Sequence, residues 1–248
     1  MKKAALLTAA CLFAVSASAQ AQGCMADIKK NGLTVGTNPG YPPFESLDTN
    51  NQIIGLDPDL VNAIGKKLGV KVNWVNQPFD GLIAALISRK IDVIAAGMTV
   101  TAERKKAVSF TLPYDNSENV ILARKEHPEY NSPAALNGKS IGVELGTIQE
   151  KVAQGIKGAN VKALNQFTDA AIAVQTQQID SMLIDRVVAE RFTKTYPDLR
   201  ITGVLNKNAK AMAVRKDCGD LLSRMDAAII ELRKSGELGA LRKKWLNK

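Results

Sequence analysis

Asp115-Asn116-Ser117-Glu118-Asn119, with the strand-like Val120-Ile121-Leu122-Ala123 behind it, breaks an otherwise regular alternation of short apolar strands and amphipathic helices. Leu205-Asn206-Lys207-Asn208-Ala209-Lys210 breaks it a second time, just ahead of Met212-Ala213-Val214. Two such interruptions cut the chain into a beginning, a middle and an end, and they read as two crossings between lobes. The expected organisation is lobe 1 from residues 24–115 and 211–248, lobe 2 from 119–206, and a hinge at about 115–119 and 206–211. Tandem repeats and low-complexity tracts are absent from the sequence.

Outward from the first crossing, the alternation is explicit. Leu33-Thr34-Val35-Gly36 reads as a strand, and Asp57 followed by Pro58 reads as an N-cap with proline at the first helical position. Leu60, Val61, Ile64 and Leu68 make one apolar stripe, which Gly69 ends. Val70, Val72 and Trp74 alternate as a strand, and Phe79-Asp80 opens a helix with Leu82, Ile83, Leu86 and Ile87 on its buried face. Ile91-Asp92-Val93-Ile94-Ala95-Ala96 reads as a buried strand. Between the crossings the cycle restarts: strand Ile141 to Val143, helix from Thr147, strand Val161 to Leu164, helix from Thr168, strand Ser181 to Ile184, and a helix through Val187, Val188 and Phe192. Repeated β-α-β units specify an α/β fold, each lobe a mostly parallel sheet flanked by helices.

The N-terminus carries an export signature. Met1-Lys2-Lys3 is cationic, Ala4 to Val15 is apolar, and Ala17-Ser18-Ala19 is a small-x-small cleavage pattern, so 1–22 reads as a removable signal peptide. Ala21-Gln22-Gly23-Cys24 loosely resembles a lipoprotein box with Ala in place of Leu, so lipid anchoring at Cys24 is the lesser reading. The mature protein is expected to be soluble and periplasmic. Formal charge is +9 on the 248 residues; removing two leader lysines leaves 31 basic against 24 acidic residues, about +7. Those charges are interleaved and no basic run accompanies them, which argues against nucleic acid. Aromatics at 5% are too few for a stacking surface. Cys11 leaves with the leader, so Cys24 and Cys218 remain, either as a disulfide or as two free thiols. The one histidine, His127, sits among Lys125, Glu126, Pro128 and Glu129, and no metal site, cofactor or catalytic group is expected.

In open α/β sheets ligands lie beyond the carboxyl ends of the strands. The residues there are Thr37-Asn38 with Tyr41, Gly97-Met98-Thr99, Leu145-Gly146-Thr147, and Asp185. This set suits an anionic head group on one side and a cationic group at Asp185. Around these positions, Val35-Gly36-Thr37-Asn38, Tyr41-Pro42-Pro43-Phe44-Glu45, Gly55-Leu56-Asp57-Pro58-Asp59-Leu60, Phe79-Asp80-Gly81-Leu82-Ile83, Gly97-Met98-Thr99-Val100-Thr101-Ala102-Glu103-Arg104 and Gly142-Val143-Glu144-Leu145-Gly146-Thr147 stand in a distinctive order. With them the chain resembles the periplasmic binding proteins of polar amino-acid ABC transporters, from about Leu33 to Trp245. Each motif alone is weak, and their order and spacing carry the resemblance.

The resemblance implies a two-lobed type II periplasmic-binding-protein fold that closes on a free amino acid and delivers it, as a monomer, to a membrane permease. It places Arg104 on the ligand's α-carboxylate, a pairing that suits a planar guanidinium. Thr99 is a further donor to that carboxylate, and Gly97 the backbone acceptor for the ammonium, with Met98 between them. The turn through Gly146, Thr147 and Ile148 adds an N–H from lobe 2. Asp185 pairs with the α-ammonium, and Tyr41 and Phe79 sandwich the side chain. The competing readings are a surface helix arginine for Arg104, turn chemistry for Gly97 and Thr99, an N-cap for Asp185, and plain core for the two rings.

Two positions set the side-chain preference. Asn38 stands where receptors for cationic amino acids commonly have aspartate, and Glu144 stands where relatives often have glutamine. Glu144 facing the pocket would restore a negative charge; facing solvent it would not. A basic amino acid, arginine or lysine, is therefore expected first and glutamine second. The alternatives are an enzyme on the same scaffold, a cyclohexadienyl dehydratase with Glu144 or Asp185 as its acid, and the sensory domain of a larger receptor.

Overall fold

The computed structural model describes residues 23–247. The signal-peptide reading of 1–22 lies outside the described residues. In chain order the elements are α1 (Cys24–Asn31), β1 (Leu33–Thr37), β2 (Ser46–Leu47), β3 (Ile53–Ile54), α2 (Leu56–Leu68), β4 (Val72–Asn76), α3 (Leu82–Ile87), β5 (Val93–Ile94), α4 (Arg104–Ala107) and β6 (Val108–Phe110). Then come β7 (Asp115–Arg124), β8 (Ser140–Glu144), α5 (Ile148–Gln154), β9 (Asn160–Leu164), α6 (Phe167–Gln175), β10 (Ser181–Asp185), α7 (Arg186–Thr195) and β11 (Leu199–Lys210). β12 (Ala213–Arg215), α8 (Gly219–Lys234) and α9 (Glu237–Leu246) finish the chain.

Two five-stranded sheets result, ordered β4-β1-β5-β12-β6 and β11-β7-β10-β8-β9. We call the parts built on them lobe 1 and lobe 2. Each sheet contains a parallel run, β4-β1-β5 in one and β10-β8-β9 in the other. Antiparallel strands extend both runs, and these are the strands that lead between the sheets. The chain passes from β6 to β7 through 111–114 and returns from β11 to β12 through 211–212.

The polar stretches that flank these passages are themselves strands. Lys210 pairs with Asp115, Ala209 with Asn116, Asn208 with Ser117 and Lys207 with Glu118. Their composition does not favour strands. Lying side by side, however, the two stretches satisfy each other's backbone N–H and C=O groups, which outweighs weak local preference. In lobe 1 the α2 stripe of Leu60, Val61 and Ile64 is fully buried, and Met225, Ile229 and Leu232 of α8 belong to the same apolar cluster. In lobe 2, Ile121, Ala123, Ile141, Val143 and Leu183 close a second core.

Three local expectations are corrected. Asp57 is not an N-cap: α2 starts at Leu56 after Gly55, where φ of 141° brings the backbone so close to Phe44 that a Cβ would lie 2.1 Å from its carbonyl oxygen. Asp57 is instead fully buried, its Oδ2 accepting from the Gly97 N–H (2.9 Å) and the Tyr114 hydroxyl (2.8 Å). Pro58 still lies in the first turn, where its missing N–H has no intrahelical partner to lose. Ile87 is 55% exposed. The buried positions of α3 are Leu82, Ala85 and Leu86, a three- and four-residue spacing from which Ile87 falls off. Of 91–96 only Val93 and Ile94 pair as a strand.

Cys24 and Cys218 form a disulfide across a sequence separation of 194, tying α1 to the N-cap of α8. Both sulfurs are spent in that bond, which leaves Cys24 no thiol for a lipid thioether in this state. Closing so long a loop restricts the unfolded chain. The double variant C24S/C218S should lose about 2–5 kcal/mol, read as a lower urea midpoint. An unchanged midpoint would show that the bond does not constrain the unfolded chain.

Candidate functional site

The strand ends of both sheets converge on one cavity. β1 leads to Asn38 and Tyr41, β5 to Ala96, Gly97 and Thr99, and α4 opens with Arg104, all from lobe 1. From lobe 2, β8 ends at Glu144, and the start of α5 supplies Thr147, Ile148 and Gln149. Phe79, Glu45, Phe167 and Lys210 complete the lining. At Gly97, φ is 53° and a Cβ would lie 2.9 Å from the Tyr41 ring, so this turn can hug the ring only with glycine there. Thr147 is a working N-cap, its hydroxyl donating to the Glu144 carbonyl (2.6 Å) and accepting from the Glu150 N–H (3.3 Å).

Contacts across the cavity join the lobes. The Asn38 amide donates to Glu144 Oε1 (2.7 Å). Arg104 donates from Nη1 to the Thr99 carbonyl (2.9 Å) and from Nη2 to the Gly146 carbonyl (3.1 Å), with its guanidinium 5.2 Å above the Phe79 ring. Burial lowers the Arg104 pKa to about 10, which leaves it cationic at neutral pH. Tyr41 stacks on Phe44 and on Phe167, at 5.7 and 5.0 Å between centroids, and its hydroxyl donates to Asp185 Oδ2. The same Oδ2 accepts from Lys210 Nζ (2.5 Å) and Gln149 Nε2 (3.5 Å), and Lys210 also donates to Thr99 Oγ1 (3.0 Å).

The acids are held under tension by burial. Glu144 is 5% exposed, which rules out the solvent-facing reading, and burial lifts its pKa to about 8 against the opposing Asn38 hydrogen bond. Glu45 is raised well above the usual carboxylate range, by burial first and by nearby Asp57 second. Among the described residues, the buried carboxylate oxygens Asp185 Oδ1, Glu45 Oε2 and Asp57 Oδ1 have no hydrogen-bond partner, although buried acceptors ordinarily find one. Such a cavity offers a fixed guanidinium, a row of donors and unanswered acceptors.

Nine of the anticipated positions line this one cavity: Asn38, Tyr41, Phe79, Gly97, Thr99, Arg104, Glu144, Thr147 and Ile148. Met98 does not: its side chain is buried in the lobe 1 apolar cluster that includes Leu82 and Leu86. Asp185 is fully buried behind its donors, makes no capping hydrogen bond to α7, and does not line the cavity. Tyr41 is paired with Phe44 and Phe167, and Phe79 carries Arg104, so the two rings serve separate partners. Sequence reasoning missed Glu45, Gln149, Phe167 and Lys210. Gln149 adjoins the expected Ile148 and Glu45 closes the motif that begins at Tyr41, whereas Lys210 reads as one more lysine of a polar connector.

The family model of bacterial extracellular solute-binding proteins, family 3, matches residues 33–248. A probable histidine-binding protein of Campylobacter jejuni is 41% identical over 67% of this chain and 65% of its own length. The arginine-binding extracellular protein ArtP of Bacillus subtilis is 35% identical over 97% of this chain and 96% of its own. A crystal structure of a mutant of ArgBP from T. maritima superposes with a TM-score of 0.87 at 38% identity, covering 90% of this chain and 99% of that one. A match across both sheets and both passages between them, on relatives that are themselves binding proteins, makes this chain a member of the bacterial extracellular solute-binding proteins, family 3.

Proposed function

We propose that this protein binds a free amino acid between its lobes outside the cytoplasm and delivers it to an ABC transporter permease, with arginine or lysine favoured and glutamine next. The observation that carries this reading is the polarity of the cavity: Arg104 at one wall, the buried acids Glu144 and Glu45 at others, and Asp185 buried behind Lys210 and Tyr41. Arg104 receives the α-carboxylate in a two-pronged pair, which a guanidinium matches in shape and charge. Asp185 keeps an unpaired Oδ1, the acceptor that an α-ammonium would have to share with Lys210, and Glu144 answers a cationic side chain. Asn38, already paired to Glu144, supplies the amide that glutamine would use. The names of the histidine- and arginine-binding relatives support a basic ligand.

Binding works as a clamp. Arg104 reaches Gly146 and Asn38 reaches Glu144 only when the lobes are together, and Glu103 meets Lys151 at the rim. A ligand that touches both lobes has differential affinity for this closed form and shifts the population toward it. The paired strands at 115–118 and 207–210 serve as the hinge. The protein acts as a monomer, and the leader at 1–22 exports it.

Arginine, lysine, histidine and glutamine at about 1 mM should raise the melting temperature in proportion to affinity, arginine or lysine most. No shift with any of them would overturn the reading. R104M should weaken arginine binding by at least about a hundredfold, because a carboxylate would be buried without its partner. Small-angle scattering should show a smaller radius of gyration with saturating arginine, and an unchanged radius would remove the clamp.

The Glu144 shift sets a pH dependence. In the closed form, below a pKa of about 8, Glu144 is protonated when no cation faces it, and a cationic ligand must drive that proton off. Arginine affinity should therefore climb as pH rises toward about 8 and level off above it, and E144Q should flatten the climb. A pH-independent affinity in the parent protein would take Glu144 out of the ligand's surroundings.

A further inference from the structure

Lys210 stands where the chain leaves lobe 2, yet its side chain is 2% exposed and turned into the cavity. Its backbone is bridged to Thr99, and the Val100 N–H donates to the Ala209 carbonyl (2.9 Å), so the residue is fixed to the loop that carries the lobe 1 donors. Its ammonium reaches Thr99 Oγ1 on one side and Asp185 Oδ2 on the other, and lies 5.8 Å from both the Tyr41 and Phe44 ring centres. We propose that Lys210 is a resident cation of the binding site, answering Asp185 in place of a ligand ammonium, so that the site accepts carboxylates with a distal cation whether or not they carry an α-ammonium.

This inference rests on the amino-acid reading above and deepens it, keeping the carboxylate and the distal cation as requirements and releasing the α-ammonium. Asp185 is a single negative charge, and in this structure Lys210 and the Tyr41 hydroxyl both take its Oδ2. A ligand ammonium at the remaining Oδ1 would share that one charge with Lys210 at close range, and like charges brought together in a buried site repel strongly. Arg104 and Glu144 are untouched by this competition. Recognition of the carboxylate and of the distal cation therefore persists when the α-ammonium is removed.

The test compares arginine with its des-amino analogue by isothermal titration, in the parent protein and in K210M. Removing Lys210 frees Asp185, so K210M should tighten arginine but not the analogue, widening the ratio of their dissociation constants by at least about tenfold. A ratio that widens less than that overturns the proposal. K210Q removes the charge while keeping a polar head for Thr99 and Asp185, and it carries the same test if K210M does not fold. If neither variant folds, the parent protein decides alone: the two ligands within about tenfold of each other support the proposal, and a wider gap overturns it. Should the parent protein bind neither ligand, the amino-acid reading falls, and the proposal is judged separately by whether K210M or K210Q gains arginine binding.

Discussion

The carboxylate of Asp185 is fully buried, and a buried carboxylate has to be answered by donors. Here the answer comes from Tyr41 on lobe 1, Gln149 on lobe 2 and Lys210 at the passage between them, so one acid gathers groups from three separate parts of the chain. Each donor is itself held: Tyr41 by the rings on either side of it, Gln149 by Asn119, and Lys210 by its bridge to Thr99. Removing one member of such a buried pair strands the other, at a cost of about 3–5 kcal/mol. The relative placement of the lobes in this structure depends on that carboxylate.

A second polar chain runs from the passage into the site. Asn206 accepts from the Asn119 amide, Asn119 accepts from Gln149, and Gln149 reaches Asp185. On the other side, Asp57 holds both the Gly97 turn and the hydroxyl of Tyr114, which lies in the first passage. Burial raises the Asp57 pKa to about 6 in spite of those two donors. The backbone that joins the lobes is thus hydrogen-bonded to the loops that line the cavity, and neither can be displaced without the other.

Much of this was legible in the sequence because it is written in local periodicity. The α2 stripe and the strands at 33–37, 140–144 and 181–185 follow from spacing alone, and the two polar interruptions lie beside the passages at 111–114 and 211–212 but are themselves strand. What the sequence hid depends on contacts between distant residues. Polar residues at 115–118 become strand only because 207–210 lie alongside them. Asp57 ahead of a proline looks the same whether it caps a helix or accepts from a remote loop. Met98 sits between two cavity residues, and only the turn's geometry sends its side chain into the core. Lys210, in a run of polar residues, has the local signature of a solvated surface, and its burial is visible only once both sheets are placed.

The strand order of the first sheet has a consequence for how the molecule is made. β12, residues 213–215, lies between β5 and β6, which are complete some hundred residues earlier in the chain. A polypeptide emerging from its N-terminus can finish the whole second sheet while the first still has a gap between β5 and β6, with their facing edges unpaired. Open strand edges of this kind are sites of misassociation. The late arrival of three residues, Ala213, Val214 and Arg215, closes that gap, so the unit that starts the sequence is the last to be completed.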